Sequence, residues 1–287
     1  MSGSHRSLCR VLAAIILTAC SACADPAGVS SAFPASATEG SLVATGQGIT
    51  TCGTTLTAPG VYYVAGDLLD CPGTAIEIAA DGVTLLLQGH TLRGVGVGAG
   101  IGIGATTFHP VNGVRVEGPG TVDGFFHGVN AEHMVGSVVT GLTIQRNQHG
   151  LGLNRSQLGD GSVSSGDSIL RNRLVQNVHH GISVNGGVSS VILGNRATGN
   201  GQGPFNGFGI YLYDATDIEV RHNEVVDNYK GGVVVEQGQS GNRILGNVAR
   251  RNHGGDLADL NCGGNIWQAN RYDRILIPTW CPGAGLE

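Results

Sequence analysis

The sequence is poor in charged residues, has no basic excess and lacks an apolar run of membrane-spanning length near its N-terminus. Charged residues occupy 13% of its 287 positions, about half the usual share. The net charge of −5 argues against a nucleic-acid partner, which would require a basic surface. The apolar stretch at residues 11–17 is much shorter than the roughly 20 residues of a transmembrane helix.

Glycine, by contrast, is abundant, with 49 residues. A glycine inside a helix costs roughly 1 kcal/mol relative to alanine, so the composition disfavours a helical bundle. Glycine does not recur at every third position, which excludes a collagen helix. The composition therefore favours an architecture with many tight turns, where glycine adopts positive φ without strain.

The N-terminal segment has the pattern of an export signal. A weakly positive start precedes the apolar residues 11–17, and we assign residues 1–19 to a signal peptide. Residues 17–20, Leu-Thr-Ala-Cys, resemble the lipobox of bacterial lipoproteins, which implies lipidation of Cys20. Ordinary cleavage after Ala24 is the alternative, and it would give a secreted protein.

A flexible tether is predicted at residues 20–50, which are rich in alanine, serine, threonine and glycine and have few large apolar side chains. The folded domain is predicted at residues 51–287. We therefore expect an exported protein, either a cell-envelope lipoprotein or a secreted one. It would contact a membrane only through its lipid anchor.

Four cysteines of the predicted domain form two pairs with equal spacing. Cys52 and Cys71 are 19 residues apart, and so are Cys262 and Cys281. In an exported chain these pairs predict two disulfides, Cys52–Cys71 at the start of the domain and Cys262–Cys281 at its end. Each disulfide of this loop length stabilises the fold by about 3 kcal/mol. No Cys-x-x-Cys occurs outside the signal region, so the cysteines do not predict a metal site.

The C-terminal half repeats a unit that asparagine and glycine mark. One asparagine series has steps of 23, 28, 24 and 23 residues, and a second series follows it by five residues. The first is Asn172, Asn195, Asn223, Asn247 and Asn270, and the second is Asn177, Asn200, Asn228 and Asn252. A glycine precedes a short apolar strand at Gly128, Gly150, Gly181, Gly209, Gly232 and Gly255. Markers that move together in this way predict a solenoid.

Two short strands are predicted in each unit. After the glycine, residues alternate between two faces, with Ile210 and Leu212 on one face and Tyr211 and Tyr213 on the other. A second strand precedes the first-series asparagine, for example at residues 191–193. Stacked units lie about 4.8 Å apart, so we expect interior ladders in which each asparagine bonds to those above and below.

Two segments near the start of the domain carry a family resemblance. Residues 83–91 are Val-Thr-Leu-Leu-Leu-Gln-Gly-His-Thr, and residues 52–55 and 59–62 are Cys-Gly-Thr-Thr and Pro-Gly-Val-Tyr. They resemble the early coils of bacterial right-handed parallel β-helix proteins, including the NosD-type periplasmic family. The resemblance covers about residues 51–281 and implies an all-β, single-stranded right-handed parallel β-helix of the pectin-lyase-like kind. That fold hosts pectate lyases, polygalacturonases, uronate epimerases and proteins without known chemistry, so it implies no single function.

The outward face of the repeated sheet suits a sugar polymer. Its amides and hydroxyls would bond to sugar hydroxyls, and its aromatic rings would pack on the C–H face of a pyranose. The predicted ligand-binding residues are Asn154, Asn185, Tyr211, Tyr213 and Asp214. Insertions at about residues 156–167 and 201–206 are expected to flank this face. The alternative is a solvated sheet in which tyrosine reflects only β-propensity.

A column of rings is expected beside this face, because a ring residue precedes the marker glycine in four units. These residues are His127, His149, His180 and Phe208. One interpretation is structural, with rings stacked along a turn and a ring nitrogen bonded to a backbone carbonyl. The other is a base or a metal site, although no His-x-x-x-His or similar spacing supports a metal.

An enzyme acting on the same polymer is the second hypothesis, with His180, Tyr211 and Glu236 as its predicted catalytic residues. A uronate lyase or epimerase ranks ahead of a hydrolase, which would use Asp214 and Glu236 as its carboxylate pair. Asp214 also fits a turn. Asp160 and Asp167 in the first insertion offer oxygen ligands for calcium, but a plain acidic loop explains them better.

We therefore expect a monomeric β-helix that binds an extended polysaccharide along residues 130–236, with no cofactor, metal or nucleic-acid partner. The alternatives are an enzyme on that polysaccharide and a structural or assembly protein with a protein partner. An outward face that is more apolar than inferred would favour the assembly role.

Overall fold

The computed structural model describes residues 46–107, 109–157, 161–202, 207–261 and 263–276. They lie in one compact unit, Ala44–Glu287, and consist of strands and connecting turns. Among them no helix is long and apolar enough to cross a membrane. The signal peptide, most of the tether, Cys20, the Cys262–Cys281 disulfide and Asp160 lie outside the described residues, so the predictions about them remain predictions.

Thirty short strands follow one another along the described chain. The first ten are β1 (Gln47–Ile49), β2 (Thr54–Leu56), β3 (Gly60–Val64), β4 (Leu68–Cys71), β5 (Ile76–Ile78), β6 (Val83–Leu86), β7 (Thr91–Gly94), β8 (Ala99–Ile103), β9 (Val111–Asn112) and β10 (Arg115–Asp123). The next ten are β11 (His127–Glu132), β12 (Met134–Val135), β13 (Val138–Gln145), β14 (His149–Asn154), β15 (Ser164–Ser165), β16 (Ser168–Leu170), β17 (Arg173–Val175), β18 (Ile182–Val188), β19 (Val191–Leu193) and β20 (Arg196–Thr198). The last ten are β21 (Phe208–Thr216), β22 (Glu219–Arg221), β23 (Glu224–Val226), β24 (Gly231–Val235), β25 (Arg243–Leu245), β26 (Val248–Arg250), β27 (Leu257–Asp259), β28 (Ile266–Gln268), β29 (Arg271–Tyr272) and β30 (Ile275–Leu276).

The strands stack in parallel into two sheets. Sheet 1 has thirteen strands, and its main path is β2-β5-β8-β11-β14-β18-β21-β24-β27-β30. Sheet 2 has seventeen strands in two files, which the long strands β10 and β13 join because each spans both files. A typical coil contributes one strand to sheet 1 and one to each file of sheet 2. The predicted right-handed parallel β-helix is confirmed.

The interior is lined by the apolar residues that alternate along the strands of sheet 1. Ile182 of β18 lies in register with Ile210 of β21, and both are fully buried, as predicted. Other coils contribute Ile76 and Ile78, Ile101 and Ile103, Leu151 and Leu153, and Val233 and Val235. The second file of sheet 2, to which β17 belongs, was not predicted.

The first coil contains the predicted disulfide. Cys52 and Cys71 are bonded, with Cα atoms 5.5 Å apart, so this pairing is confirmed. β1 pairs with β3, and the solenoid therefore begins slightly before the predicted boundary at residue 51. The outermost strands of a solenoid have no neighbour on one side, and this disulfide restrains the chain at that end.

The two asparagine series form the predicted interior ladders. Asn195 donates from its backbone N–H and from Nδ2 to Oδ1 of Asn223, at 2.8 and 3.0 Å. Its Nδ2 also donates to the carbonyl oxygen of Ile169 at 2.8 Å. The second ladder begins one coil earlier than predicted, at Asn147, which donates to Asn177 in the same way. These bonds satisfy the buried amides without water.

The marker glycines are required by close approach between coils rather than by positive φ. A Cβ atom at Gly181 would lie 2.6 Å from the carbonyl oxygen of Gly209 and 2.9 Å from Nδ2 of Asn200. Real Cβ atoms do not approach so closely, so a larger residue would push apart the sheet and the second asparagine ladder.

One member of the glycine series was assigned wrongly. The register of β24 with β27 places Asp256, rather than Gly255, opposite Gly232. Oδ1 of Asp256 accepts hydrogen bonds from the N–H and Nδ2 of Asn252, at 2.9 and 2.8 Å. The aspartate therefore caps the second ladder, at the point where the next asparagine would stand.

Candidate functional site

The outward face of sheet 1 carries three rows of side chains that run along the solenoid axis. The ring row contains His127, His149, His180 and Phe208. The central row contains Asn130, Gly152, Ser183 and Tyr211. The edge row contains Glu132, Asn154, Asn185 and Tyr213. Parallel pairing places neighbours within a row one coil apart, about 4.8 Å.

The predicted column of rings is present, and two further rings join it. His127 contacts His149 with ring centroids 4.9 Å apart, and His149 stacks on His179 at 4.4 Å. Phe126 stacks on His127 at 4.9 Å. Phe126 and His179 were not predicted, although each is adjacent in sequence to a predicted ring residue, because the conformation of the turn decides where their side chains lie.

Three rings form a cluster at the C-terminal end of the row. The Tyr211 ring lies 4.8 Å from both His180 and Phe208, with interplanar angles of 14° and 21°. These contacts cover part of the Tyr211 ring, whereas Tyr213 is 47% exposed. Tyr213 is therefore the tyrosine that offers an open ring face to a ligand.

Burial disfavours the charged form of two histidines in the ring row. Loss of solvation, reinforced by neighbouring histidines, lowers the pKa of His149 to about 3. Loss of solvation, with His179 and Lys230 nearby, lowers the pKa of His180 to about 4. Both rings are therefore neutral near pH 7.

A backbone contact fixes the tautomer of His180. Its Nδ1 accepts a hydrogen bond from the backbone N–H of Phe208 at 3.2 Å. The expected contact of this ring with the backbone exists, but with an N–H donor in place of a carbonyl acceptor. Because a backbone N–H can only donate, the proton of the neutral ring is on Nε2. His180 thus has a donor to offer a ligand and no free basic nitrogen.

Tyr211 and Glu236 form a hydrogen-bonded pair. The phenol hydroxyl donates to Oε2 of Glu236 at 2.5 Å. Burial, followed by the bond to this carboxylate, raises the pKa of Tyr211, so its hydroxyl keeps the proton. Two of the three predicted catalytic residues, Tyr211 and Glu236, are therefore in contact, and the proton stays on the Tyr211 oxygen.

A chain of hydrogen bonds between side-chain amides and a carboxylate orders the edge row. Asn154 Nδ2 donates to Oδ1 of Asn130 at 2.7 Å, and Asn130 Nδ2 donates to Oε1 of Glu132 at 2.9 Å. The backbone N–H of Gln157, in the first insertion, donates to Oε2 of Glu132 at 3.3 Å. This chain fixes the direction of the Asn154 amide and holds a carboxylate that is only 7% exposed.

These rows enclose a groove of about 470 Å³, which is the size of many small-ligand sites. Five predicted site residues line it: His180, Asn154, Asn185, Tyr211 and Tyr213. Gln157 lines it from the first insertion, which confirms that this insertion flanks the face. The structure therefore brings most of the predicted site together.

Asp214 lies beside the groove rather than in it. It forms an ion pair with Arg155 in a neighbouring depression that Asn185 and Tyr213 also line. Its φ of 51° is that of a turn residue, which was the alternative interpretation of the sequence. Arg155 engages Asp214, and Tyr211 engages the carboxylate of Glu236. The two carboxylates considered for a hydrolase therefore have separate partners.

A second cavity of about 220 Å³ extends the same face toward the N-terminal coils. Glu77, Phe126 and Asn130 line it, and His127 lines both cavities. Glu77 is 7% exposed, and burial raises its pKa while Oγ1 of Thr106 donates to it at 3.3 Å. This cavity was not predicted, because the early coils lack the asparagine markers that revealed the repeat.

Among the described residues, no group of three or more histidines, cysteines or acidic residues is placed to hold a metal ion. Asp167, considered as a calcium ligand in a surface loop, is instead fully buried. Its Oδ1 accepts a hydrogen bond from the N–H of Ser137 at 2.9 Å, and its own N–H donates to Oγ of Ser190 at 3.0 Å. Asp167 is therefore part of a third interior ladder, out of reach of a surface ion.

Comparisons with known proteins agree with this architecture. A family model described as a right handed beta helix region matches residues 128–272. No curated protein matches the sequence.

Several solved structures are similar. Tailspike protein 2 of the Escherichia coli O157:H7 bacteriophage CAB120 has a TM-score of 0.54 and 11% identity, with 77% of this chain and 35% of that chain covered. The periplasmic alginate epimerase AlgG has a TM-score of 0.45 and 14% identity, with coverage of 76% and 62%. The A-module of the Azotobacter vinelandii mannuronan C-5 epimerase AlgE4 has a TM-score of 0.46 and 12% identity, with coverage of 81% and 87%. This chain spans about a third of the tailspike, and at such low identity the likeness shows the fold alone.

Proposed function

The chain belongs to the right-handed β-helix family, and on that premise we propose that the groove of sheet 1 binds an extended polysaccharide. The observation that carries the proposal is the groove itself, a cavity of about 470 Å³ that crosses four coils. Amides, hydroxyls and aromatic edges line it, and this combination suits the hydroxyls and C–H faces of sugars.

The edge row sets the path of the polymer. Asn154, Asn185 and Tyr213 lie in register on successive coils, so a chain along the solenoid axis meets one after another. From Glu132 to Tyr213 the row spans three coil spacings, about 14 Å, or two to three sugar units. Tyr213 would stack on one sugar, while the two asparagines would bond to the hydroxyls of the others.

The protonation states favour binding over catalysis. The accessible nitrogen of neutral His180 carries a proton, and the protonated hydroxyl of Tyr211 donates a hydrogen bond to Glu236. A lyase or epimerase needs a base that is ready to remove a sugar proton. His180 instead offers its Nε2–H as a donor to a sugar oxygen, while the hydroxyl hydrogen of Tyr211 is engaged by Glu236.

We further propose that the protein acts outside the cytoplasm, anchored by a lipid at Cys20. The Cys52–Cys71 disulfide supports this location, because such bonds persist mainly in oxidising compartments.

A glycan-array screen tests the proposed function, with Tyr213→Ala as the test variant and Tyr272→Ala as its matched control. Loss of the Tyr213 ring should weaken binding about threefold to tenfold, since ring contacts contribute about 0.5–1.5 kcal/mol. Tyr272 is 39% exposed on β29 of sheet 2, so its loss should leave binding unchanged. Undiminished binding by Tyr213→Ala would mean that the wrong face was chosen. The absence of any glycan ligand would favour the assembly role.

A further inference from the structure

The groove carries negative charge without a compensating cation. None of the described residues that line it is a lysine or an arginine. Glu132 lines it directly, and Glu236, beside the groove, accepts a hydrogen bond from the hydroxyl of Tyr211, which lines it. The carboxylate oxygens of these two residues are the strongest hydrogen-bond acceptors along the path proposed for the ligand.

The cations closest to the groove are already engaged. Arg155 is paired with Asp214 in the adjoining depression. Nζ of Lys230 lies 4.8 Å from the centre of the Phe208 ring, on which it forms a cation–π contact. Neither side chain lines the groove, so neither is placed there to receive the carboxylate of a ligand.

The histidines in the groove do not supply the missing charge. Burial lowers the pKa of His127, and it lowers the pKa of His149 to about 3 and that of His180 to about 4, so all three are neutral near pH 7. Neutral imidazoles donate hydrogen bonds to sugar hydroxyls but do not attract an anion.

From these observations we propose that the groove selects an uncharged polysaccharide and rejects polymers of uronic acids. This inference rests on the proposed function and names the ligand class. A hydroxyl of a neutral sugar can donate to Glu132 or Glu236, which gives a charge-assisted hydrogen bond. A sugar carboxylate in the same place would meet a like charge in a partly desolvated groove and would find no cation to balance it.

The test compares both ligand classes on one array at pH 7, using the exported chain. The neutral probes are oligosaccharides of glucan, mannan and galactan, and the acidic probes are those of galacturonan, mannuronan and guluronan. We expect retention of one or more neutral probes and at least tenfold weaker retention of every uronate probe. Affinity for the neutral ligand should be unchanged between 50 and 500 mM salt, because no ion pair with the ligand forms.

Substitution of the two carboxylates provides a second arm. Glu132→Gln and Glu236→Gln should each raise the ratio of uronate to neutral binding by about tenfold, because each removes a like charge. Glu117→Gln, on sheet 2 where Glu117 pairs with Arg115, should leave the ratio unchanged.

The outcomes separate this inference from the function on which it rests. A uronate probe that binds at least as tightly as any neutral probe overturns the inference and leaves polysaccharide binding intact. A failure to bind any glycan overturns both. A neutral ligand whose selectivity is unaffected by either glutamine variant shows that the carboxylates do not determine the choice.

Discussion

Each interior asparagine forms hydrogen bonds with the coils on both sides of it. Oδ1 of Asn223 accepts from the N–H and Nδ2 of Asn195, at 2.8 and 3.0 Å. Its Nδ2 donates to the carbonyl oxygen of Ile192 and to Oδ1 of Asn247, both at 2.9 Å. One side chain therefore serves three coils, and neither threonine nor aspartate offers the same two donors and one acceptor.

Substitution of a single asparagine tests this role. Asn223→Leu removes the acceptor of the Asn195 N–H and the side-chain donor to the carbonyl of Ile192, and it should lower the free energy of unfolding by about 1–3 kcal/mol. Arg221→Gln removes only an exposed ion pair with Glu219 and should cost less than about 1 kcal/mol. Urea unfolding compares the two variants, and equal stabilities would contradict the ladder interpretation.

Asp167 differs from the other interior polar residues because it can ionise. Burial raises its pKa to about 8, against the opposing hydrogen bonds from Ser137 and Ser165. The unfolded carboxyl has its usual pKa near 3.9, so it ionises first as the pH rises. The free energy of unfolding should therefore fall from about pH 4 to pH 8, and the loss from this group should be complete above pH 8.

Asp167→Asn should abolish that fall, because the amide has the same shape and no charge. At pH 8 the variant should be more stable than the wild type by at least about 1 kcal/mol. Asp70→Asn changes an exposed residue of β4 and should keep the wild-type slope. Urea unfolding at pH 5, 7 and 9 checks this, and parallel profiles for wild type and Asp167→Asn would refute the buried-acid argument.

At the scale of strands, the coil spacing depends on a glycine at the start of several strands of sheet 1. Gly181 leads into β18, and a Cβ atom there would lie 2.6 Å from the carbonyl oxygen of Gly209. The strand can pair with its neighbours at the usual distance only because this atom is absent.

Gly181→Ala should therefore overpack the interior and destabilise the protein by about 1–3 kcal/mol. Gly73→Ala is the matched control, since a Cβ atom at Gly73 has no neighbour within 4 Å. Thermal unfolding distinguishes the two. A melting temperature of Gly181→Ala equal to that of Gly73→Ala would mean that the coils shift at no cost.

At the scale of the whole molecule, the stability of the solenoid is independent of its proposed attachment to a membrane. Each coil packs only on its two neighbours, so the stability of the domain is the sum of local contacts and does not require an anchor. Location, in contrast, is predicted to depend on the N-terminal segment.

Cys20→Ala should release the protein from membranes into the soluble fraction. Acyl chains at this position would stabilise the bound state by about 0.8 kcal/mol for each buried CH₂ group. Fractionation of cells that express the wild type and the variant measures the effect, and the melting temperature of the domain should be the same in both. A wild-type protein found entirely in the soluble fraction would rule out the lipid anchor.

Much of the architecture was determined by the sequence itself. Strand alternation such as Ile210-Tyr211-Leu212-Tyr213 shows which residues lie inside, because successive side chains of a strand point to opposite faces. The asparagine spacing revealed the coil length, because ladder residues must recur once per coil. Both patterns are local or strictly periodic, so they can be read without knowing the tertiary structure.

The details of the groove were decided only by the tertiary structure. Asp214 has a positive φ and lies beside the groove. The ring of His179, in the turn ahead of His180, stacks on the ring of His149. Asp167 was expected in a surface loop but lies in the interior, where the N–H of Ser137 in the preceding coil donates a hydrogen bond to it. Turn conformation and contacts between coils arise from residues more than twenty positions apart, and no pattern within one repeat encodes them.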